Sequence, residues 1–114
     1  MLNAEQTTRY MERKFGINIK SIAELVDLFE EEGCEVKRDS EGNFLSTAKI
    51  TTYVGAAIFL FKNTNLNIKK IIKYLMDDYE RALEIDKIRG SVNIIQMEIE
   101  DPEFAKYIKT VKSL

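Results

Sequence analysis

The chain has 114 residues, 45% of them hydrophobic and 32% charged, with a formal net charge of −2 at pH 7. This size and composition predict one folded domain with its own core, and the charge excludes a strongly basic protein whose overall field attracts nucleic acid. Because the chain has one cysteine and no histidine, it cannot form an intrachain disulfide, a histidine-based catalytic triad or one of the usual zinc sites.

The first two predicted helices are joined by a short turn. Residues 4–15 have the apolar spacing of an amphipathic helix, and Gly16 ends it. A second helix begins at Ser21 as its N-cap, because Glu24 three residues later completes a capping-box pattern. Gly33 ends this helix, since glycine adopts a positive φ at little cost. The predicted apolar face of the second helix consists of Ile22, Leu25, Val26 and Phe29.

A charged β-hairpin is predicted directly after the second helix. Two short extended runs flank a glycine-containing turn at residues 39–42, which is the usual pattern of a hairpin. We expect residues 36–37 to pair antiparallel with residues 44–45. A third, strongly apolar helix then begins after Ser46 or Thr47 and is interrupted near residue 63.

The rest of the chain is predicted as a fourth helix and an extension. Asn67 is the predicted cap of an amphipathic helix that continues to about Gly90. Residues 91–100 fit a strand and a helix equally well, and a last amphipathic helix is predicted to begin with Asp101 and Pro102. We expect residues 1–90 to form the winged helix-turn-helix part and residues 91–114 to be a dimerisation segment of the same domain, or to wrap the domain if the protein is a monomer, because the extension is rich in apolar side chains.

No residue pattern indicates an enzyme or a bound cofactor. Cys34 lies among acidic residues, which oppose the thiolate form that a nucleophile needs. The acids near residue 78 lack a phosphate-cradling loop, so we interpret them as a solvated face rather than as Mg²⁺ ligands. The longest apolar run, residues 54–61, is far shorter than the roughly 20 residues that span a bilayer. We therefore expect a cytoplasmic protein without membrane contact.

Several turns carry a resemblance to a known family. Residues 14–17 (KFGI) match the turn between its first two helices, and Ser21 opens the second helix. Residues 33–39 (GCEVKRD) and 42–44 (GNF) are similar to its hairpin, and residues 65–68 (NLNI) are similar to the restart before its fourth helix. Over residues 7–76 the chain resembles the winged helix-turn-helix domain of the MerR family, and in particular the small MerR-like proteins of Gram-positive phages and plasmids.

The resemblance implies a mainly α fold, a winged helix-turn-helix with a small β-hairpin wing and a C-terminal helical extension. It also implies that the second helix enters the major groove of double-stranded DNA, that the wing touches the adjacent backbone, and that the C-terminal helices form a homodimer. The expected location is the bacterial cytoplasm or nucleoid.

Our first functional hypothesis is a DNA-binding protein, either a transcriptional regulator or a partition accessory factor. The first turn of the second helix would meet base edges, while the wing and the basic helices would contact phosphates. The residues predicted to bind DNA are Arg13, Lys14, Lys20, Ser21, Lys37, Arg38, Asn43, Lys69, Lys70 and Lys73.

The alternative is a protein–protein interaction module, such as an anti-repressor or an inhibitor, built on the same scaffold. The second helix is rich in carboxylates, and duplex DNA repels an acidic face. Such a face would instead dock a basic partner protein. Its predicted contact residues are Glu24, Asp27, Glu30, Glu31 and Glu32.

Overall fold

The computed structural model describes residues 2–90, which fold into five α-helices. The mainly α class expected from the sequence is therefore confirmed. The expectations for residues 91–114, including the dimerisation segment and the last helix, lie outside the described residues. The helices are α1 (Ala4–Phe15), α2 (Ile19–Glu31), α3 (Ala48–Asn63), α4 (Ile68–Asp77) and α5 (Tyr79–Gly90).

The turn between α1 and α2 is correctly predicted, but the start of α2 is not. Gly16 closes α1 in the left-handed region, with φ of 69°. The N-cap of α2 is Asn18, whose side chain accepts a hydrogen bond of 2.9 Å from the backbone N–H of Ser21. The Glu12 carboxylate accepts a second bond, of 2.8 Å, from the N–H of Ile19. Asparagine caps at least as well as serine, so the helix begins earlier and Ser21 lies inside its first turn.

The loop between α2 and α3 begins as predicted, but the two strands of a hairpin are absent from the described residues. Gly33 follows the end of α2 with φ of 102°. A single antiparallel bridge then joins Arg38 to Phe44. The pairing is shifted by one residue from the expected match of residues 36–37 with residues 44–45, since the N–H of Leu45 bonds the carbonyl of Lys37.

The side chain of Asp39 explains why the pairing stays short. Its carboxylate accepts hydrogen bonds from the backbone N–H groups of Glu41 and Asn43, at 2.9 and 3.0 Å. The Asn43 side chain donates to the same carboxylate at 3.3 Å. These contacts satisfy the turn locally, as aspartate does in Asx-turns. The loop is therefore closed by these side-chain bonds together with a few backbone bonds, such as the one of 2.9 Å from the N–H of Asp39 to the carbonyl of Asn43, and not by a long backbone ladder.

The predicted fourth helix is two helices. Asn67 caps α4 as expected, with its side chain accepting from the N–H of Lys70 at 2.9 Å. Asp78 is extended, with φ of −155°, and ends α4. Its carboxylate accepts hydrogen bonds from the N–H groups of Glu80 and Arg81 at 3.1 and 3.4 Å, so it also begins α5. The apolar spacing alone predicted one continuous helix, but the side chain of Asp78 acts as an N-cap and divides it into two.

Helix α3 lies at the centre of the domain, because each of the other four helices packs against it. Tyr53 of α3 stacks on Phe29 of α2, with ring centroids 5.1 Å apart, and meets Tyr79 of α5 edge-on at 5.3 Å. Both spacings are favourable for aromatic pairs. Within residues 2–90, no helix has the length and hydropathy to cross a membrane.

Candidate functional site

The outward face of α2 is acidic. Helix α2 contains a single lysine, Lys20, whereas four carboxylates project from its exposed surface: Glu24, Asp27, Glu30 and Glu31. Glu32 follows directly after the helix and is also exposed. All five residues predicted for protein interaction are therefore exposed. By helical spacing Glu24, Asp27 and Glu31 share one side of α2, whereas Glu30 and Glu32 lie toward its two edges.

Arg38 was predicted to contact DNA, but its side chain lies against the acids of α2. Its guanidinium donates to Asp27 at 2.9 Å and to Glu30 at 3.0 and 3.3 Å. A fourth bond, of 2.8 Å, reaches the carbonyl oxygen of Gly42. Hydrogen bonding to Glu30 and then to Asp27 raises the pKa of Arg38 further above its ordinary value. The sequence-predicted DNA contact is thus already paired with two of the predicted protein contacts.

The other two loop residues predicted to bind DNA also have partners nearby. Lys37 forms a salt bridge of 2.7 Å with Glu35. The hydrogen bond and the opposite charge raise the pKa of Lys37 and lower that of Glu35. Asn43 holds Asp39, as described above. Partial burial raises the pKa of the Asp39 carboxyl, but the hydrogen bonds from Asn43, Glu41 and Gly42 outweigh this effect and lower it overall.

The remaining predicted DNA contacts lie on three separate helices. Arg13 and Lys14 are in the last turn of α1, and the Lys14 ammonium donates to the hydroxyl of Tyr10 at 3.3 Å. Lys20 and Ser21 are exposed in the first turn of α2. The three lysines of α4, Lys69, Lys70 and Lys73, are exposed as well.

Two of the α4 lysines face acids of α2. Lys69 and Lys73 line a depression of about 180 Å³ together with Glu31 and Glu32, and its apolar lining consists of Leu28 and Ile72. No salt bridge closes this depression within residues 2–90. The basic cluster of α4 and the acidic cluster of α2 are therefore two sides of one surface.

An apolar groove adjoins this depression, and no pattern in the sequence predicted it. The groove has a volume of about 380 Å³. Helix α2 forms one wall, and the C-terminal end of α3 and the start of α4 form the opposite wall. Phe61 lies at the groove with 59% of its surface exposed. The residues that line it are Ile17, Ser21, Glu24, Leu25, Leu28, Ala57, Ile58, Phe61, Lys62 and Ile68.

One signal in the sequence could have indicated the groove. Phe61 continues the apolar run of α3 at a position where its neighbours already fill the buried face. An aromatic residue left over from a helix stripe is a candidate for an exposed contact. The opposite wall requires the tertiary packing of α2 against α3, which periodicity does not contain.

The described residues offer no built site for a metal or a reactive thiol. Burial raises the pKa of the Cys34 thiol, the nearby Lys49 charge opposes this rise, and Cys34 itself is almost completely buried. In residues 2–90, no three cysteine, aspartate or glutamate side chains converge as the ligands of a metal ion would.

No protein-family model matches the chain, and no curated protein or solved structure is significantly similar to it.

Proposed function

We propose that this domain is a protein-interaction module that docks a partner helix in the groove between α2, α3 and α4. The observation that carries the proposal is the groove itself, with an exposed phenylalanine at its side and leucines and isoleucines along its walls. An amphipathic helix laid in an apolar groove is a recurrent mode of recognition, with large side chains one or two turns apart as anchors.

The energetics favour an apolar occupant. The side chain of Phe61 is exposed over more than half of its surface. For an aromatic side chain of roughly 200 Å², covering that part completely would contribute up to roughly 3 kcal/mol at about 25 cal/mol per Å². Leu25 and Leu28 are only partly buried against the core, so they still present apolar surface to the groove. Aromatic and aliphatic anchors in such pockets commonly dominate the binding energy of an interface.

The electrostatics of α2 support a protein partner more than they support DNA. Arg38 holds Asp27 and Glu30, while Glu24, Glu31 and Glu32 have no salt bridge in the part of the chain that the structure describes. An unpaired acidic row attracts basic side chains of a protein and repels phosphates. The paired loop residues Lys37 and Arg38 would have to give up carboxylate partners before contacting a phosphate.

A winged-helix interpretation remains compatible with this function. The order of α1, a glycine turn, α2, a loop closed by an antiparallel bridge, and α3 supports a helix-turn-helix scaffold with a reduced wing. One observation favours DNA binding as a second candidate function. Five lysines, Lys20, Lys62, Lys69, Lys70 and Lys73, form no salt bridge within residues 2–90.

A labelled helical peptide tests the proposed function. The probe is an amphipathic peptide of about 18 residues, with leucines at i, i+3, i+4 and i+7 spacing and charged residues on its other face. We expect saturable binding by fluorescence anisotropy at about 0.15 M salt. Phe61→Ser should weaken this binding about fivefold or more, because association realises only part of the roughly 3 kcal/mol of apolar contact that the substitution removes.

The matched control is Tyr10→Ser, because within residues 2–90 Tyr10 is the other large apolar residue that is exposed, at 42%, and it lies on α1 and does not line the groove. This variant should bind the peptide as the wild type does. A scrambled peptide of the same composition should not bind. If the ordered peptide fails to bind, or if both variants lose binding equally, the groove is not a docking site.

A further inference from the structure

The two rims of the groove carry opposite charges. On the α2 side, Glu24 lines the groove and is exposed. On the opposite side, Lys62 at the end of α3 lines the same groove and is exposed as well. The apolar floor therefore lies between one acidic and one basic edge.

The same arrangement continues into the adjoining depression. Leu28 lines both cavities, so the two are neighbours along α2. In the depression, Glu31 and Glu32 lie on the α2 side, while Lys69 and Lys73 lie on the α4 side. Acids thus follow α2 along the whole surface, and lysines follow the end of α3 and then α4.

These opposite charges face each other without closing the gap. No salt bridge joins an acid of this rim to a lysine of the other within residues 2–90. Glu24 and Glu31 are seven residues apart on α2, which is about 10.5 Å along the helix axis. That length matches two turns of a docked helix, or one set of anchors at i, i+3 or i+4, and i+7.

From this charge arrangement we infer that the partner is a bipolar amphipathic helix. Its apolar stripe would fill the groove, basic residues on one edge would face Glu24 and Glu31, and acidic residues on the other edge would face Lys62 and Lys69. This inference rests on the proposed function and adds the chemistry of the partner. Flanking charges of this kind select partners and orientation in packed helices.

The charge pattern also sets the direction of the docked helix. A bipolar helix can satisfy both rims in only one of its two directions, since reversing it places acids against α2 and lysines against Lys62. A helix with the same charge on both edges meets one repulsive rim in either direction. The protein should therefore distinguish the three kinds of helix although their apolar stripes are identical.

Three labelled peptides with one leucine stripe test this inference on the full chain. One has lysines on one edge and glutamates on the other, one has lysines on both edges, and one has glutamates on both. The wild type should bind the bipolar peptide about two- to tenfold more tightly than either uniform peptide, as expected for a few partly exposed charge pairs. This preference should shrink in about 1 M salt.

Single charge reversals provide matched tests. Glu24→Lys reverses the charge of the α2 rim at the groove while Glu31 and Glu32 stay acidic, so it should reduce the preference for the bipolar peptide over the peptide with glutamates on both edges. Lys62→Glu reverses the charge of the other rim at the groove while Lys69 and Lys73 stay basic, so it should reduce the preference for the bipolar peptide over the peptide with lysines on both edges. Both positions are exposed, so neither variant should affect folding, which circular dichroism verifies.

The outcomes separate this inference from the function on which it rests. Equal binding of all three peptides would overturn the bipolar partner while leaving the groove as a docking site. The tightest binding of the wild type by the lysine peptide would also overturn it, because the α2 acids alone would then select the partner. If none of the three peptides binds, the proposed function itself fails.

Discussion

Replacing Arg38 with methionine should destabilise the domain, because this side chain ties the loop to α2. The change keeps an unbranched apolar stem but removes the bonds to Asp27, Glu30 and the Gly42 carbonyl. The Arg38 side chain is 28% exposed, whereas the two carboxylate side chains are 62% and 45% exposed. Solvent therefore screens both ion pairs, and each contributes about 0.2–1 kcal/mol.

The bond to the Gly42 carbonyl adds about 1 kcal/mol, so the total loss in the free energy of unfolding should be about 1.5–3 kcal/mol. Urea denaturation followed by circular dichroism measures this difference. The loss should decrease in about 1 M NaCl, since salt screens exposed charges.

The matched control is Lys37→Met in the same loop. Lys37 pairs with Glu35 alone, both side chains are more than half exposed, and neither belongs to a helix. This variant should therefore change stability much less than the Arg38 variant. Equal losses for the two variants, or no loss at Arg38, would refute the argument that the guanidinium fixes the loop on the acidic face.

Further predictions concern the core, the turn, the thiol and the assembly. Ile85→Ala should lower the free energy of unfolding by about 2–5 kcal/mol in urea denaturation, because Ile85 is fully buried where α5 packs on the core. The lowered pKa of Asp39 stabilises the fold above the unfolded-state pKa of about 3.9, so the advantage of the wild type over Asp39→Asn should disappear as an acid titration passes below that value. The raised pKa and the burial of Cys34 should make it react slowly with a thiol reagent at neutral pH and rapidly after denaturation. If residues 91–114 form a dimer as the sequence predicts, light scattering should give a monomer mass after truncation behind Gly90, and an unchanged dimer mass would contradict that assignment.

Local sequence signals predicted most of the helices. The end of α1 at Gly16 and the cap of α4 at Asn67 depend on residues adjacent to the boundary, so the sequence contains the needed information. Two boundaries were wrong for a related reason. Asn18, and not Ser21, caps the start of α2, and Asp78 interrupts a continuous apolar pattern. In both cases a polar side chain accepts hydrogen bonds from the backbone N–H groups that follow it and so begins a helix.

The candidate site could be predicted only in part, since it depends on contacts between distant residues. The acids of α2 were identified because they are neighbours in the sequence, within or next to one helix. The pairing of Arg38 with Asp27 spans 11 positions in the chain and requires the loop to fold back on α2. The groove needs α2, α3 and α4 at once, so no periodicity along a single helix reveals it.

One NMR titration tests the central claim most directly. Amide chemical shifts of the full chain are recorded with the bipolar peptide and, separately, with AT-rich and mixed-sequence DNA duplexes at low salt. We predict that the peptide shifts the signals of Leu25, Leu28 and Phe61 and that the duplexes leave the spectrum unchanged. Shifts at Lys20 and Arg38 with duplex, together with an unchanged spectrum after addition of peptide, would contradict the account and favour DNA binding.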